Sequence, residues 1–179
     1  MEQQFQYYAF ISYKREDEKW AKWLQDRLRW YKLPSKLCRQ ITRLPKKVWP
    51  VFRDNTDLDS GRLEENIRHE LERSHYLIVI CSPEAARSPW VGKEVKYFAT
   101  LHGADKIIPF VVSGIPYSND IETECIHEQI KAISQEELLA INVREEGIGS
   151  FAMKKKRAFI RVVARLLDIK FNTLWQPYA

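Results

Sequence analysis

Trp90 and Glu94 stand four residues apart, so on a helix their side chains meet on one face, which Tyr97 extends three residues further on. A carboxylate bordered by aromatic surface loses hydration. Its pKa then rises above the ordinary value of about 4.3 unless a cation pairs with it. The plainer alternative is a partly exposed helix glutamate paired with Lys93 or Lys96. A second chemical feature is a basic stripe: between Arg27 and Lys47 lie eight basic residues and no acidic one. Such a stripe can attract phosphates of any origin, nucleotides included, or be a solvated surface. Lys154 to Arg157 form a second basic cluster, expected on the wet face of a helix.

Other chemistries are excluded by what is missing. The sequence contains no GxxxxGK[ST], GxGxxG or GxSxG, which removes the P-loop, the dinucleotide fingerprint and the hydrolase elbow. His69, His75, His102 and His127 are scattered singly, and Cys38, Cys81 and Cys125 have no metal-ligand spacing. No metal site is expected. A response-regulator reading needs acidic residues at the end of the first strand, where this chain has Ser12, Tyr13 and Lys14.

The elements that would carry these residues can be read from periodicity. Tyr7 to Tyr13 is an apolar run of strand length, followed by Trp20, Trp23, Leu24, Leu28 and Tyr31 at helical intervals up to a stop at Pro34. Val48 to Arg53 makes a second strand whose first half is weakened by Pro50. Asp54 to Gly61 is a polar loop of turn formers, and Leu63, Ile67 and Leu71 mark the next helix. Tyr76 to Cys81 is a continuous apolar run, the pattern of a central parallel strand.

Ser88 and Pro89 fit the N-cap and first position of a third helix, whose stripe Val91, Val95 and Phe98 leads to about Gly103. Ile107 to Val112 gives a fourth strand and Leu138 to Val143 a short fifth, with a helical segment over Glu122 to Ile133 between them. Phe151 to Leu167 closes the chain as an amphipathic helix. This alternation predicts a five-stranded parallel sheet, order 2-1-3-4-5, with helices on both faces. Ligands of such sheets bind beyond the carboxyl ends of the strands, where the strand order reverses. Ser12 to Arg15 and Ser82 to Glu94 arrive at that crevice.

The 179 residues, 45% hydrophobic and 30% charged, are enough for one domain with its own core. Apolar runs fall short of the roughly 20 residues needed to span a membrane, and the first residues are polar, so a cytoplasmic protein is expected. The net charge of +5 comes largely from the local stripe, which lacks a recognised nucleic-acid reading module. Binding to nucleic acid is therefore not expected.

Tyr8 to Tyr13 with Arg15-Glu16-Asp17, Val51 to Asp54 with the loop to Gly61, and Leu77 to Ser82 followed by Ser88-Pro89-Trp90 and Glu94 resemble the three signature boxes of a Toll/interleukin-1 receptor (TIR) domain. The resemblance spans about Tyr7 to Leu167 and is nearer to prokaryotic members than to receptor adaptors. It implies a flavodoxin-like fold and, in many members, cleavage of the nicotinamide–ribose bond of NAD+. On that resemblance Glu94 is the catalytic residue. Phe10, Ser12, Tyr13, Lys14, Arg15, Arg53 and Trp90 form the substrate-binding set: Trp90 stacks on a ring, Ser12 offers polar contacts, and Lys14, Arg15 or Arg53 neutralises the pyrophosphate.

The resemblance also implies that NAD+ is a substrate and no cofactor is needed, that TIR–TIR self-association switches activity on in prokaryotic immune signalling, and that a sensor or effector module works with the domain. The alternative is a non-catalytic scaffold. Lys32 to Pro50 is longer and more basic than the family's usual link, and Asn55 to Gly61 lacks the proline of receptor members. The TIR domain is expected over residues 1–170. The aromatic tail 171–179 is expected to dock on another surface or to begin a linker to a further module.

Overall fold

The computed structural model describes residues 5–54, 64–145, 147 and 149–175. The loop expected from Asn55 to Gly61, Leu63 of the next helix and Tyr178 of the tail lie outside them.

Five strands, β1 (Tyr7–Ser12), β2 (Val51–Arg53), β3 (Ser74–Cys81), β4 (Ile107–Val111) and β5 (Ile141–Asn142), form one sheet of order β2-β1-β3-β4-β5. Every neighbouring pair is parallel. Pro50 has no N–H for a ladder, and β2 begins immediately after it. The period of two then sorts side chains between the two faces. Ala9 and Ile11 join Ile78, Ile80 and Phe110 beneath α1 (Glu18–Trp30) and α7 (Phe151–Leu167). Phe10, Leu77 and Val79 face the opposite way, toward α3 (Glu65–Glu72) and α5 (Pro89–His102).

Three shorter helices, α2 (Ser35–Gln40), α4 (Pro83–Ala86) and α8 (Phe171–Leu174), were not legible from periodicity. The segment carrying the basic stripe is built into the domain, with Leu33, Leu37, Leu44 and Val48 buried. Arg29 stacks over Trp49 at 4.8 Å, and Arg43 donates to the Leu167 carbonyl at the end of α7 at 3.1 Å. Several of its cations thus cap and pack the fold itself. Lys155, expected on a wet helix face, sits 4.7 Å from the centre of the Trp23 ring.

The helix expected over Glu122 to Ile133 is shortened to α6 (Glu128–Ile133). Glu124 is the cause: its carboxylate accepts the N–H groups of Tyr117, Asn119 and Ile126, and so organises turns in which Tyr117 and Asn119 have φ of 57° and 59°. In the expected tail, Leu174 is buried, and Phe171 and Trp175 pack against the domain's own core.

Candidate active site

The end of β1 and the start of α5 create the site. Ser88 Oγ accepts the Val91 N–H at 3.2 Å and Pro89 occupies the first turn, which fixes where α5 begins. Glu94 then lies one turn inside the helix, above the carboxyl end of β1. Close packing from the far side holds the helix there. A Cβ on Gly92 would come within 2.5 Å of His127 Cε1, so this position tolerates only glycine without movement. His127 Nδ1 accepts the Gln129 N–H at 3.0 Å, which leaves Nε2 to donate to the Ser88 carbonyl at 2.9 Å. Burial holds the His127 pKa below its ordinary value, in keeping with this neutral tautomer.

Ser12 Oγ donates to Glu94 Oε1 at 2.9 Å, and both residues are 0% exposed. The expectation of a partly exposed glutamate is therefore corrected: the inward face of α5 buries the carboxyl against Ser12 at the end of β1. Burial, and next the Asp54 carboxylate, push the Glu94 carboxyl well above the usual range, while the Ser12 hydrogen bond opposes the rise. Trp90 is half-buried and donates through Nε1 to Asp54 Oδ2 at 3.0 Å.

Asp54 was not anticipated as a site residue, because it opens a run of turn formers. The signal lay in the register: Ile11 pairs with Arg53, so continuing the ladder by one step sets Asp54 beside Ser12. Phe10 and Phe52 share a face, with ring centres 5.1 Å apart, and Ser12 and Asp54 lie two residues beyond them on that same face. Asp54 is 6% exposed.

Of the expected substrate-binding set, Ser12 and Trp90 are brought to Glu94. Phe10 is not at the surface; it is 0% exposed and packs in the core between the sheet and α5. Arg53 points to the other face, where its Nε donates to Gln25 Oε1 at 2.9 Å and Nη1 to Tyr13 Oη at 3.0 Å. Alternation along β2 turns Arg53 away from Glu94, and Tyr13 lies with Arg53. Lys14 is half-buried and Arg15 exposed where the chain leaves β1. They open a short 3-10 turn (Arg15–Asp17) that is pinned at its end, since Ser82 Oγ donates to Asp17 Oδ2 at 2.5 Å. No cluster of three or more potential metal ligands occurs among the described residues. No helix among them is long and apolar enough to cross a membrane.

A family model of the TIR domain matches residues 9–137, which include Ser12, Asp54, Trp90 and Glu94. The chain belongs to the TIR domain family. It is 36% identical over 110 residues to the NAD(+) hydrolase ApTIR of Actinoplanes sp., a match covering 60% of this chain and 14% of that protein. The TIR domains of the activated Roq1 resistosome, in complex with the effector XopQ, superpose with a TM-score of 0.55 at 14% identity, covering 87% of this chain and 96% of that one. That likeness shows the fold, and the TIR sheet order is the one observed here.

Proposed function

We propose that this TIR domain is an NAD+ nucleosidase in which Glu94 stabilises the ribosyl cation formed as nicotinamide departs. The observation that carries the reading is the Glu94 carboxyl, held by Ser12 at the strand-order reversal beside Trp90, in a chain with a relative named as an NAD(+) hydrolase. In the reaction, the bond between ribose C1′ and the nicotinamide nitrogen breaks and its electron pair leaves with the nitrogen. Nicotinamide departs neutral, so no general acid is required. The positive charge passes to the ribose, and an ionised Glu94 close to the ribose hydroxyls lowers its energy without attacking it. Water then supplies the electron pair that restores ribose and releases a proton to solvent. Capture by an adenine nitrogen gives a cyclic product instead, so ADP-ribosyl cyclase activity belongs to the same proposal.

Ser12 would orient the carboxylate and Trp90 would stack on a ring of the substrate, with Lys14 or Arg15 near the pyrophosphate. Self-association, a cytoplasmic setting and a sensor or effector module complete the reading as an immune signalling enzyme. Incubation of concentrated protein with NAD+, followed by chromatography, should release nicotinamide with ADP-ribose or a cyclic product. Intact NAD+ under crowded, assembly-promoting conditions would refute it.

One observation favours a second reading, a non-catalytic scaffold for TIR–TIR contacts: Glu94 is 0% exposed, so the ribose reaches it only after the side chains above it move. A scaffold would self-associate equally well as the Glu94→Gln variant and leave NAD+ unchanged.

A further inference from the structure

Glu94 Oε2 is buried and accepts no N–H or O–H hydrogen bond among the described residues. A bare carboxylate oxygen in that position carries a large desolvation cost, which a proton on the oxygen removes. The strand register sets Asp54 beside Ser12, the hydrogen-bond partner of Glu94, and Asp54 Oδ2 accepts the Trp90 indole N–H. The Asp54 carboxylate adds to the cost of ionising Glu94.

We propose that Asp54 is a positioning residue for the Glu94 reaction, holding the Trp90 ring through its indole N–H and setting its negative charge against the Glu94 carboxyl. This inference rests on the reading of Glu94 as the charge-stabilising group. The Ser12 hydrogen bond favours the Glu94 carboxylate and the Asp54 charge opposes it, so the two neighbours together set where Glu94 ionises.

Other charges on the surrounding elements are engaged elsewhere. Glu72 of α3 accepts the Tyr97 hydroxyl, and His127, preceding α6, bonds to Ser88. Asp17, held by Ser82, has Glu84 of α4 among its neighbours. Arg53 is bound to Tyr13 and Gln25 on the far face. Among the described residues, the Asp54 carboxylate acts on Glu94.

The test is a carboxyl-carbon NMR titration of Glu94 without NAD+, in the wild type and in Asp54→Asn, with Glu94→Gln identifying the resonance. Asparagine keeps an acceptor for Trp90 but carries no charge. The Glu94 midpoint should move by about one pH unit or more toward acid, and the acid limb of the kcat/KM profile should move with it. An unmoved midpoint overturns the proposal. If Asp54→Asn does not fold, the wild type alone decides: the Trp90 indole N–H resonance should shift with the same midpoint as Glu94, and independent midpoints overturn it. Because the titration is read without substrate, a Glu94 midpoint that moves in Asp54→Asn, in a protein that cleaves no NAD+, refutes the enzymatic reading and leaves the action of Asp54 on Glu94 intact.

Discussion

Ser12 and Glu94 are separated by 82 positions in the chain, yet the Ser12 hydroxyl donates to Glu94 Oε1 at 2.9 Å inside the protein. This contact ties the end of β1 to α5 and makes ionisation of Glu94 easier than burial alone would allow. Ser12→Ala should leave a buried acceptor without its donor and cost about 1–3 kcal/mol of stability. Its acid limb for NAD+ cleavage should move to higher pH, opposite to the movement expected of Asp54→Asn. Chemical denaturation and a pH–rate profile measure the two effects, and a profile identical to wild type would separate Ser12 from the titration of Glu94.

The raised Glu94 pKa has a stability consequence whose sign follows from proton counting. Above the ordinary value of 4.5 the unfolded carboxyl has lost its proton while the folded one still holds it. The native state then binds more protons, so this contribution is fully present below pH 4.5 and is lost as pH rises through the folded pKa. The slope approaches about 1.4 kcal/mol per pH unit for this one group. Glu94→Gln should flatten the decline by that amount in urea midpoints measured across the window. Parallel curves for the two proteins would contradict the assignment.

Gly92 faces His127 across the α5–α6 contact with no room for a methyl group, 2.5 Å from Cε1. Gly92→Ala should destabilise the protein by about 1–3 kcal/mol through overpacking. It should also weaken NAD+ cleavage, because the same turn of α5 carries Trp90 and Glu94. A variant of full stability would show that α6 yields freely, which thermal unfolding would reveal.

Arg53 is bound on the face away from Glu94, with Tyr13 and Gln25. Arg53→Met should therefore lower stability, by about 1–3 kcal/mol from the partners left unsatisfied, and leave KM for NAD+ unchanged. Substitution of Lys14 or Arg15, at the exposed end of β1, should raise KM without a comparable loss of stability. Steady-state kinetics beside melting curves distinguish the two patterns.

Strand order, strand placement and the N-cap of α5 could be read from the sequence because each has a strong local cause. Continuous apolar runs mark β3 and β4, and the Ser88-Pro89 pair marks the helix start. Ser12, Trp90 and Glu94 followed from where those elements end. Phe10 and Arg53 did not, because proximity in sequence to Ser12 or Asp54 says nothing about which face of the sheet a side chain takes until the pleat is counted. Asp54 was hidden by its neighbours, all turn formers, and emerges only from the pairing of β1 with β2. The burial of Glu94 depends on packing between α5, β1 and Trp90, which helical spacing alone does not encode.

The central claim is that the charge of the ionised Glu94 carboxylate stabilises the ribosyl cation. Glu94→Gln replaces a buried acid by a neutral amide of the same shape, so the variant should stay folded, with a melting temperature near neutral pH at or above that of the wild type. The most direct measurement is nicotinamide released from NAD+ by the two proteins under identical assembly-promoting conditions. The account predicts a fall of about two to four orders of magnitude for Glu94→Gln, the scale of losing one preorganised electrostatic group. Equal release by a folded Glu94→Gln protein would contradict it.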